Sequence, residues 1–422
     1  MDDDWTREAV FKTNRVVVWL DEVAGSRKRE LLTILLLSTM QGFLWTMMIP
    51  TIPLLAKDAG ASEMQLGMIT AIPALTTIIF CIPGNSLGLR YGKRTLIIWS
   101  QLAGLACGFL FLYTKSMGFI VVPQLFYGLS NMLFWPTESA YQTEVMAPEK
   151  RATAIGYTMA LSSLGSILSP LVAGRIIDMA GYRPVFLLYI TLSTVGVLIA
   201  RTLPDQPHGT EGTVIATMLA GFSSVTKLLK HPIIQMVALN TFFQFLTLAT
   251  SESFVPAFMR EANYSATLIG TTVTLRTAAM TLVRFFIGPL VKTFGTVPVL
   301  LAGVFTCAIA CGLVPVFPIP TFICIASFLA GLSFGVSPVL TSTIIAEHTD
   351  PQQRGMAMAL NATSTNVGRS ASGFGFGAVA SLVGYGPAIT IANCFVLLGS
   401  LFVVSKQIKM KRAESLPARD SI

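Results

Sequence analysis

The chain has 422 residues, of which 53% are hydrophobic and only 12% charged, with a formal net charge of +8. A soluble domain carries about twice that share of charge, so the composition excludes a water-soluble enzyme or binding domain and places the chain in lipid. The basic excess does not indicate a nucleic-acid partner, because it is segregated: with both termini on one side, 21 Lys and Arg fall there, 5 on the other side and 3 within apolar stretches. That is the bias expected of cytoplasmic loops.

In chain order, residues 1–30 read as a cytoplasmic segment. The apolar run at 16–20 is too short for a secretory leader and Asp21 and Glu22 interrupt it, whereas Trp5, Phe11 and Trp19 predict a short helix at the inner interface. Apolar stretches follow at 31–56, 64–87, 95–114, 117–142, 152–175 and 184–202. The polar stretch 204–232 carries Gly209, Gly212, Lys227 and Lys230 and reads as a cytoplasmic linker. Six more apolar stretches occupy 233–258, 266–290, 297–317, 320–345, 355–379 and 385–405, and 406–422 is a basic cytoplasmic tail. Each stretch is long enough, as a helix, to cross a hydrocarbon core of about 30 Å. The prediction is an all-α polytopic membrane protein of 12 transmembrane helices, arranged as a bundle over 31–203 and a second over 233–405, related by a pseudo-two-fold axis.

The pairing of the halves is explicit in the residues. A shift of 203 brings Pro53 onto Pro256, Ser62 onto Ser265, Gly67 onto Gly270, Gly92 onto Gly295, Gly128 onto Gly331, Arg151 onto Arg354, Gly165 onto Gly368 and Gly181 onto Gly384. A direct repeat of half a chain built from apolar segments implies two similar bundles with a site between them. The short loops leave no room for a catalytic domain, and no GxxxxGK[ST] sequence is present to support drive by ATP. All six cysteines fall within the stretches, with Cys307 and Cys311 one turn apart as packing residues, and His208, His231 and His348 lie in cytoplasmic segments. Neither a disulfide framework nor a metal site is indicated.

Between the second and third stretches the chain reads Asn85-Ser-Leu-Gly-Leu89-Arg90-Tyr-Gly92-Lys93-Arg94, and one repeat later Gly288-Pro-Leu-Val-Lys292-Thr-Phe-Gly295. Both resemble the loop signature of the major facilitator superfamily, with Asn85 in place of the leading Gly and Leu89 in place of its Asp. Glu144 and Arg151 stand seven positions apart, as do Glu347 and Arg354. This is similar to the acidic-x6-Arg element that ends the fourth and tenth spans in that family. The stretch Gly165-Ser-Ile-Leu-Ser169-Pro170-Leu-Val-Ala173-Gly174 resembles the element of its antiporter branches, with Ser169 and Ala173 as small substitutes. The resemblance implies a cytoplasmic gate built from Arg90, Gly92, Lys93, Arg94, Glu144, Arg151, Arg284, Gly295, Glu347 and Arg354. It also implies close helix packing at Gly165, Pro170 and Gly174, and a cavity lined by the first, fourth, seventh and tenth spans. Gln124 stands where many members carry an Arg, which leaves the coupling ion open.

At 100° per residue, Gln124, Tyr127, Asn131, Trp135, Glu138 and Gln142 form one narrow stripe on the fourth span, which belongs against water or the partner bundle. Asn240, Gln244, Thr247 and Ser251 share a face of the seventh span, Ser333, Ser337 and Thr341 mark the tenth, and Gln41 and Trp45 form a pair on the first. Such amides, hydroxyls and aromatic rings suit an amphipathic organic ligand rather than a metal ion.

The charges within spans are Glu138, Glu252, Arg276, Arg284 and Arg369, and their repeat equivalents Thr341, Ile49, Pro73, Cys81 and Ser166 are all uncharged. Unduplicated charges point to function, since each costs about 2.5 kcal/mol or more in lipid. Counting along the helices puts Arg276 near mid-membrane as the first contact for an anionic group, and Arg369 with Asn361, Thr365 and Ser372 on a cavity face. Glu138 is the first candidate proton carrier. Glu252 is the second, counted near the outer boundary.

The sequence therefore predicts a secondary transporter, not an enzyme, that moves a small organic, amphipathic compound by alternating access. Proton-coupled export is the first reading, uptake of an anionic metabolite the alternative, and a non-transporting receptor on the same scaffold the third. The partners expected are the bilayer, the organic substrate and H+, with a monomer in the plasma or inner membrane, both termini cytoplasmic, and no cofactor beyond an ion gradient.

Overall fold

A computed structural model of the protein describes residues 27–114, 117–146, 151–204 and 231–415, with the side chains of 81–90, 117, 151–158, 351–356 and 406–415 outside the description. The expected interfacial helix with Trp5, Phe11 and Trp19, most of the linker, and the side chains of Arg90, Arg151 and Arg354 lie outside the described residues.

The chain folds into α1 (Lys28–Asp58), α2 (Glu63–Tyr91), α3 (Lys93–Leu112), α4 (Val121–Val145), α5 (Arg151–Ala180) and α6 (Tyr182–Ala200). The second set is α7 (Pro232–Glu261), α8 (Ala266–Phe294), α9 (Thr296–Gly312), α10 (Pro320–His348), α11 (Pro351–Ala371) and α12 (Tyr385–Ser415). A 3₁₀ turn at Arg284–Phe286 interrupts α8, and α11 continues through a π-turn at Ser372–Phe376 into Gly377–Val383. Successive helices run antiparallel, so an even number of passes brings both described chain ends to one side, here the terminal end; the opposite side is the distal end.

Glycine makes the tightest of these reversals. Gly92 and Gly295 at the terminal end have φ of 79° and 81°, and Gly181 and Gly384 at the distal end have φ of 77° and 80°. A side chain is strained in that left-handed region, which is why the same residue recurs at both equivalent corners.

Ten helices among the described residues are long and apolar enough to cross a membrane. The exceptions are instructive: α9 has only 17 residues, and α11 carries Asn361, Thr365, Asn366, Arg369 and Ser370. A helix polar over so many turns is tolerated where protein or a cavity shields it from lipid. The two bundles are packed alike. In the first, α1 lies against α5, α4 against α2 and α3, and α3 against α6; in the second, α7 lies against α11, α10 against α8 and α9, and α9 against α12. The bundles meet through α5 with α8, α2 with α11, and α1 with α7.

Small residues set the helix separations. A Cβ on Gly128 would stand 2.9 Å from the Pro73 Cα, and one on its equivalent Gly331 would stand 2.2 Å from the carbonyl oxygen of Arg276, the equivalent of Pro73. Between bundles, a Cβ on Gly270 would stand 2.2 Å from the Pro170 carbonyl oxygen and one on Gly67 would stand 2.1 Å from that of Gly373, again as repeat equivalents. Without an entropic drive to bury apolar surface in lipid, such close backbone approach is what holds helices together.

Candidate functional site

A cavity of about 240 Å³ lies between the bundles, lined on one side by Trp45, Met48, Ile49, Ile52, Gln124 and Tyr127, and on the other by Glu252, Ser253, Thr365, Asn366 and Arg369. Residues of α2, among them Thr70 and Thr77, close a third side. Trp45 and Tyr127 stack with ring centroids 5.1 Å apart and planes 13° from parallel, and the Tyr127 hydroxyl donates to the Trp45 carbonyl at 2.8 Å. The Arg369 guanidinium stands over the Trp45 ring at 5.8 Å, which brings a cation from α11 onto an aromatic face of α1.

Three of the unduplicated charges form one network. Glu252 accepts from Arg369 through one carboxylate oxygen and faces Arg276 at 3.5 Å through the other. Arg276 also donates to the Ser251 hydroxyl at 3.1 Å. The sequence count places Glu252 near the outer boundary, and the structure gives its distance from the end of its helix. The helix runs on to Glu261, nine residues further, so Glu252 lies about 13 Å below the distal end of α7 at 1.5 Å per residue. Arg276, ten residues into α8 from the same end, is at nearly the same depth. Arg276 is buried behind the carboxylate, whereas Arg369 lines the cavity. Two guanidiniums share one carboxylate, leaving one net positive charge beside the cavity.

The polar stripe of α4 divides. Gln124 and Tyr127 reach the cavity, while Asn131 and Ser130 accept from Gln41 Nε2 at 3.1 and 3.3 Å inside the first bundle. Trp135, at the exposed edge of α4, donates to Asn131 at 3.3 Å. Gln41 is itself buried and accepts from Gln101 at 3.1 Å. Its repeat equivalent Gln244 donates to the Ser333 carbonyl at 2.9 Å, so these two amides make twin ties between first and fourth helices of their bundles. Asn240 and Thr341 are likewise buried within the second bundle. Glu138, near the terminal end of α4, accepts from Ser38 of α1 at 2.5 Å and from Gln142. The partners the structure gives it are neutral.

At the terminal end Lys93 pairs with Glu144, joining the loop signature to the end of α4. Arg94 donates to the Arg201 carbonyl at 2.9 Å. Arg284 is exposed on the 3₁₀ turn of α8, and Glu347 is exposed at the end of α10. The antiporter-like residues sit in seams: a Cβ on Gly165 would stand 2.4 Å from the Thr39 carbonyl oxygen, and one on Gly174 would stand 2.2 Å from that of Ala266, across the boundary between bundles.

Sequence reasoning missed a clamp at the distal end. Arg260 of α7 donates to both oxygens of Asp58 in α1, at 2.8 and 2.7 Å, and Lys57 faces Glu261 at 3.6 Å. Lys57–Asp58 and Arg260–Glu261 are repeat equivalents, so each cation takes the acid of the other copy. Tyr182 donates to Asp58 at 2.6 Å, and Asp178 accepts from the backbone of Ala266 and Thr267 at 2.9 and 2.7 Å. The signal was available: a basic-acidic dipeptide recurs at the same shift as the glycines. These contacts tie the two bundles together at the distal end.

The Major Facilitator Superfamily profile matches residues 34–251 and again 237–419. The uncharacterized MFS-type transporter MJ1560 of Methanocaldococcus jannaschii is 21% identical over 369 residues, 86% of this chain and 93% of that one. Multidrug resistance protein 1 of Bacillus subtilis is 24% identical over 200 residues, 47% of this chain, and the match spans about half (51%) of that relative's length. Among solved structures, a mutant of the nucleoside transporter NupG superposes with a TM-score of 0.75 at 13% identity, covering 89% of this chain and 99% of that one. With the profile matched in both halves, and with twelve helices among the described residues packed as twin bundles around a cavity, the chain belongs to the major facilitator superfamily.

Proposed function

We propose that this secondary transporter is proton-coupled and carries a small amphipathic organic compound whose anionic end binds Arg369. The observation that carries the reading is the sharing of Glu252 between Arg369 and Arg276 on the cavity wall. A carboxylate there holds Arg369. A proton on Glu252 removes that competitor and frees the guanidinium for an anionic substrate, so proton and substrate occupy the site together and move in one direction. The apolar wall of Met48, Ile49 and Ile52 beside the Trp45–Tyr127 stack receives the rest of the molecule. Glu252 thereby takes the coupling role that sequence reasoning assigns first to Glu138, because Glu138 is held between α1 and α4 away from the cavity lining.

Export by proton antiport is the second reading, supported by Gly165, Pro170 and Gly174 in their seams and by the similarity to a multidrug resistance protein. Substrate would then bind the unprotonated site and leave when Glu252 takes a proton. In both readings the termini face the cytoplasm, following the basic loops. Proteoliposomes under an imposed pH gradient, assayed with a panel of labelled amphipathic acids and bases, separate the two. Accumulation with the proton gradient is expected for acids; accumulation against it for bases would establish antiport, and flux indifferent to the gradient in both wild type and Glu252→Gln would refute proton coupling.

A further inference from the structure

Gln124 is 1% exposed and lines the cavity, yet its Oε1 has no hydrogen-bond partner among the described residues. A buried carbonyl left unpaired is costly, and a ligand donor placed against it recovers that cost. The amide sits one turn from Tyr127 on α4, whereas Arg369 reaches the cavity from α11 of the other bundle. The stacked Trp45 and Tyr127 line the same cavity, with Arg369 over the Trp45 ring.

We propose that the cavity selects planar aromatic carboxylates that also carry an N–H or O–H donor, with Gln124 as the residue that reads the donor. This rests on the reading of the cavity as the substrate site and of Arg369 as its anion contact. The ring lies along the aromatic wall, the carboxylate meets Arg369, and the donor meets Gln124 Oε1. The ligand then spans the two bundles, held by one polar end in each. An analogue without the donor leaves Gln124 unpaired, and a site built around a hydrogen bond rejects such an analogue far more sharply than an apolar pocket rejects a missing methylene.

The test uses three probes on the purified full-length protein, with binding read from ligand-induced thermal shifts: indole-3-acetate, 1-methylindole-3-acetate and indole-3-acetamide. Wild type is expected to bind indole-3-acetate about tenfold more tightly than its N-methyl analogue, the order of one lost hydrogen bond to a buried acceptor. Gln124→Leu is expected to bind the two acids alike. If that variant does not fold, Gln124→Met supplies the same comparison. Equal binding of the two acids by wild type, or a preference that survives removal of the Gln124 amide, overturns the proposal, as does failure of both acids to bind. Equal binding of indole-3-acetate and indole-3-acetamide points to a separate failure, that of Arg369 as the anion contact. The N-methyl arm and the amide arm thus distinguish failure of the selection rule from failure of the reading beneath it.

Discussion

The two bundles place their backbones alike and their polar groups differently. Gly128 lies against Pro73 as Gly331 lies against Arg276, and Gln41 ties α1 to α4 as Gln244 ties α7 to α10. Yet Leu37, Leu44 and Phe134 pack the first bundle where Asn240, Thr247 and Ser337 stand in the second, all of them buried. The acid of the first bundle, Glu138, is held by a hydroxyl and an amide, whereas Glu252 of the second is held by two guanidiniums. Helix packing thus tolerates little divergence between copies, because a Cβ in a seam meets backbone. Polar groups diverge more freely: Glu252 meets two cations beside the cavity, whereas Asn240 Nδ2 and the Thr247 and Ser337 hydroxyls are buried with no hydrogen-bond partner among the described residues.

The sharpest way to break the comparison is to treat the two acids alike. Glu252→Gln leaves Arg276 and Arg369 with an uncompensated buried charge and should cost about 3–5 kcal/mol in unfolding stability, with loss of gradient-driven flux. Glu138→Gln removes no ion-pair partner and should cost only about 1 kcal/mol. Denaturation of both variants in the same detergent would decide it, and equal losses would mean that Glu138 has a charged partner too.

Equivalence of the seams can be tested next. Gly67→Leu and Gly270→Leu each force a side chain against backbone between bundles and should each disfavour distal closure by about 1–3 kcal/mol. Accessibility of a cysteine introduced at Thr70 to a reagent added from the distal side should rise in both; a rise in one alone would show that the seams are not twins. Smaller again is the clamp. Asp58→Arg should shift the same accessibility by about 1 kcal/mol, several-fold, and the double exchange Asp58→Arg with Arg260→Asp should restore it, because the pair is part-exposed and reciprocal. The smallest effect expected is that of Thr247→Val. The Thr247 hydroxyl has no partner among the described residues, so removing it should raise stability by about 0.5–1 kcal/mol. A loss of that size would show that its hydroxyl is hydrogen-bonded.

Much of this was legible in the residues. The glycines recurring at a shift of 203 do stand at equivalent corners and seams, and Tyr127, Gln124, Trp45 and Arg369 do line one cavity. Other placements were not. Angles on an isolated helix show which residues share a face but not how that face is divided, so Asn131 and Gln41, expected beside the cavity, turn out to bind each other inside a bundle. The end of α7 was another, because the helix extends past its apolar stretch to present Arg260 and Glu261 to the clamp.

By itself the sequence determined residence in a membrane, twelve spans and a duplicated scaffold, because these follow from local composition summed along the chain and from the strict demand of close helix contacts for small residues. Tertiary structure alone decided which charges meet. Glu252 is 24 residues from Arg276 and 117 from Arg369, and they share a carboxylate only because α7, α8 and α11 are packed at one depth and turned toward one another. An ion pair depends on a few ångströms of separation and on helix rotation, and neither quantity is written in any local stretch of sequence.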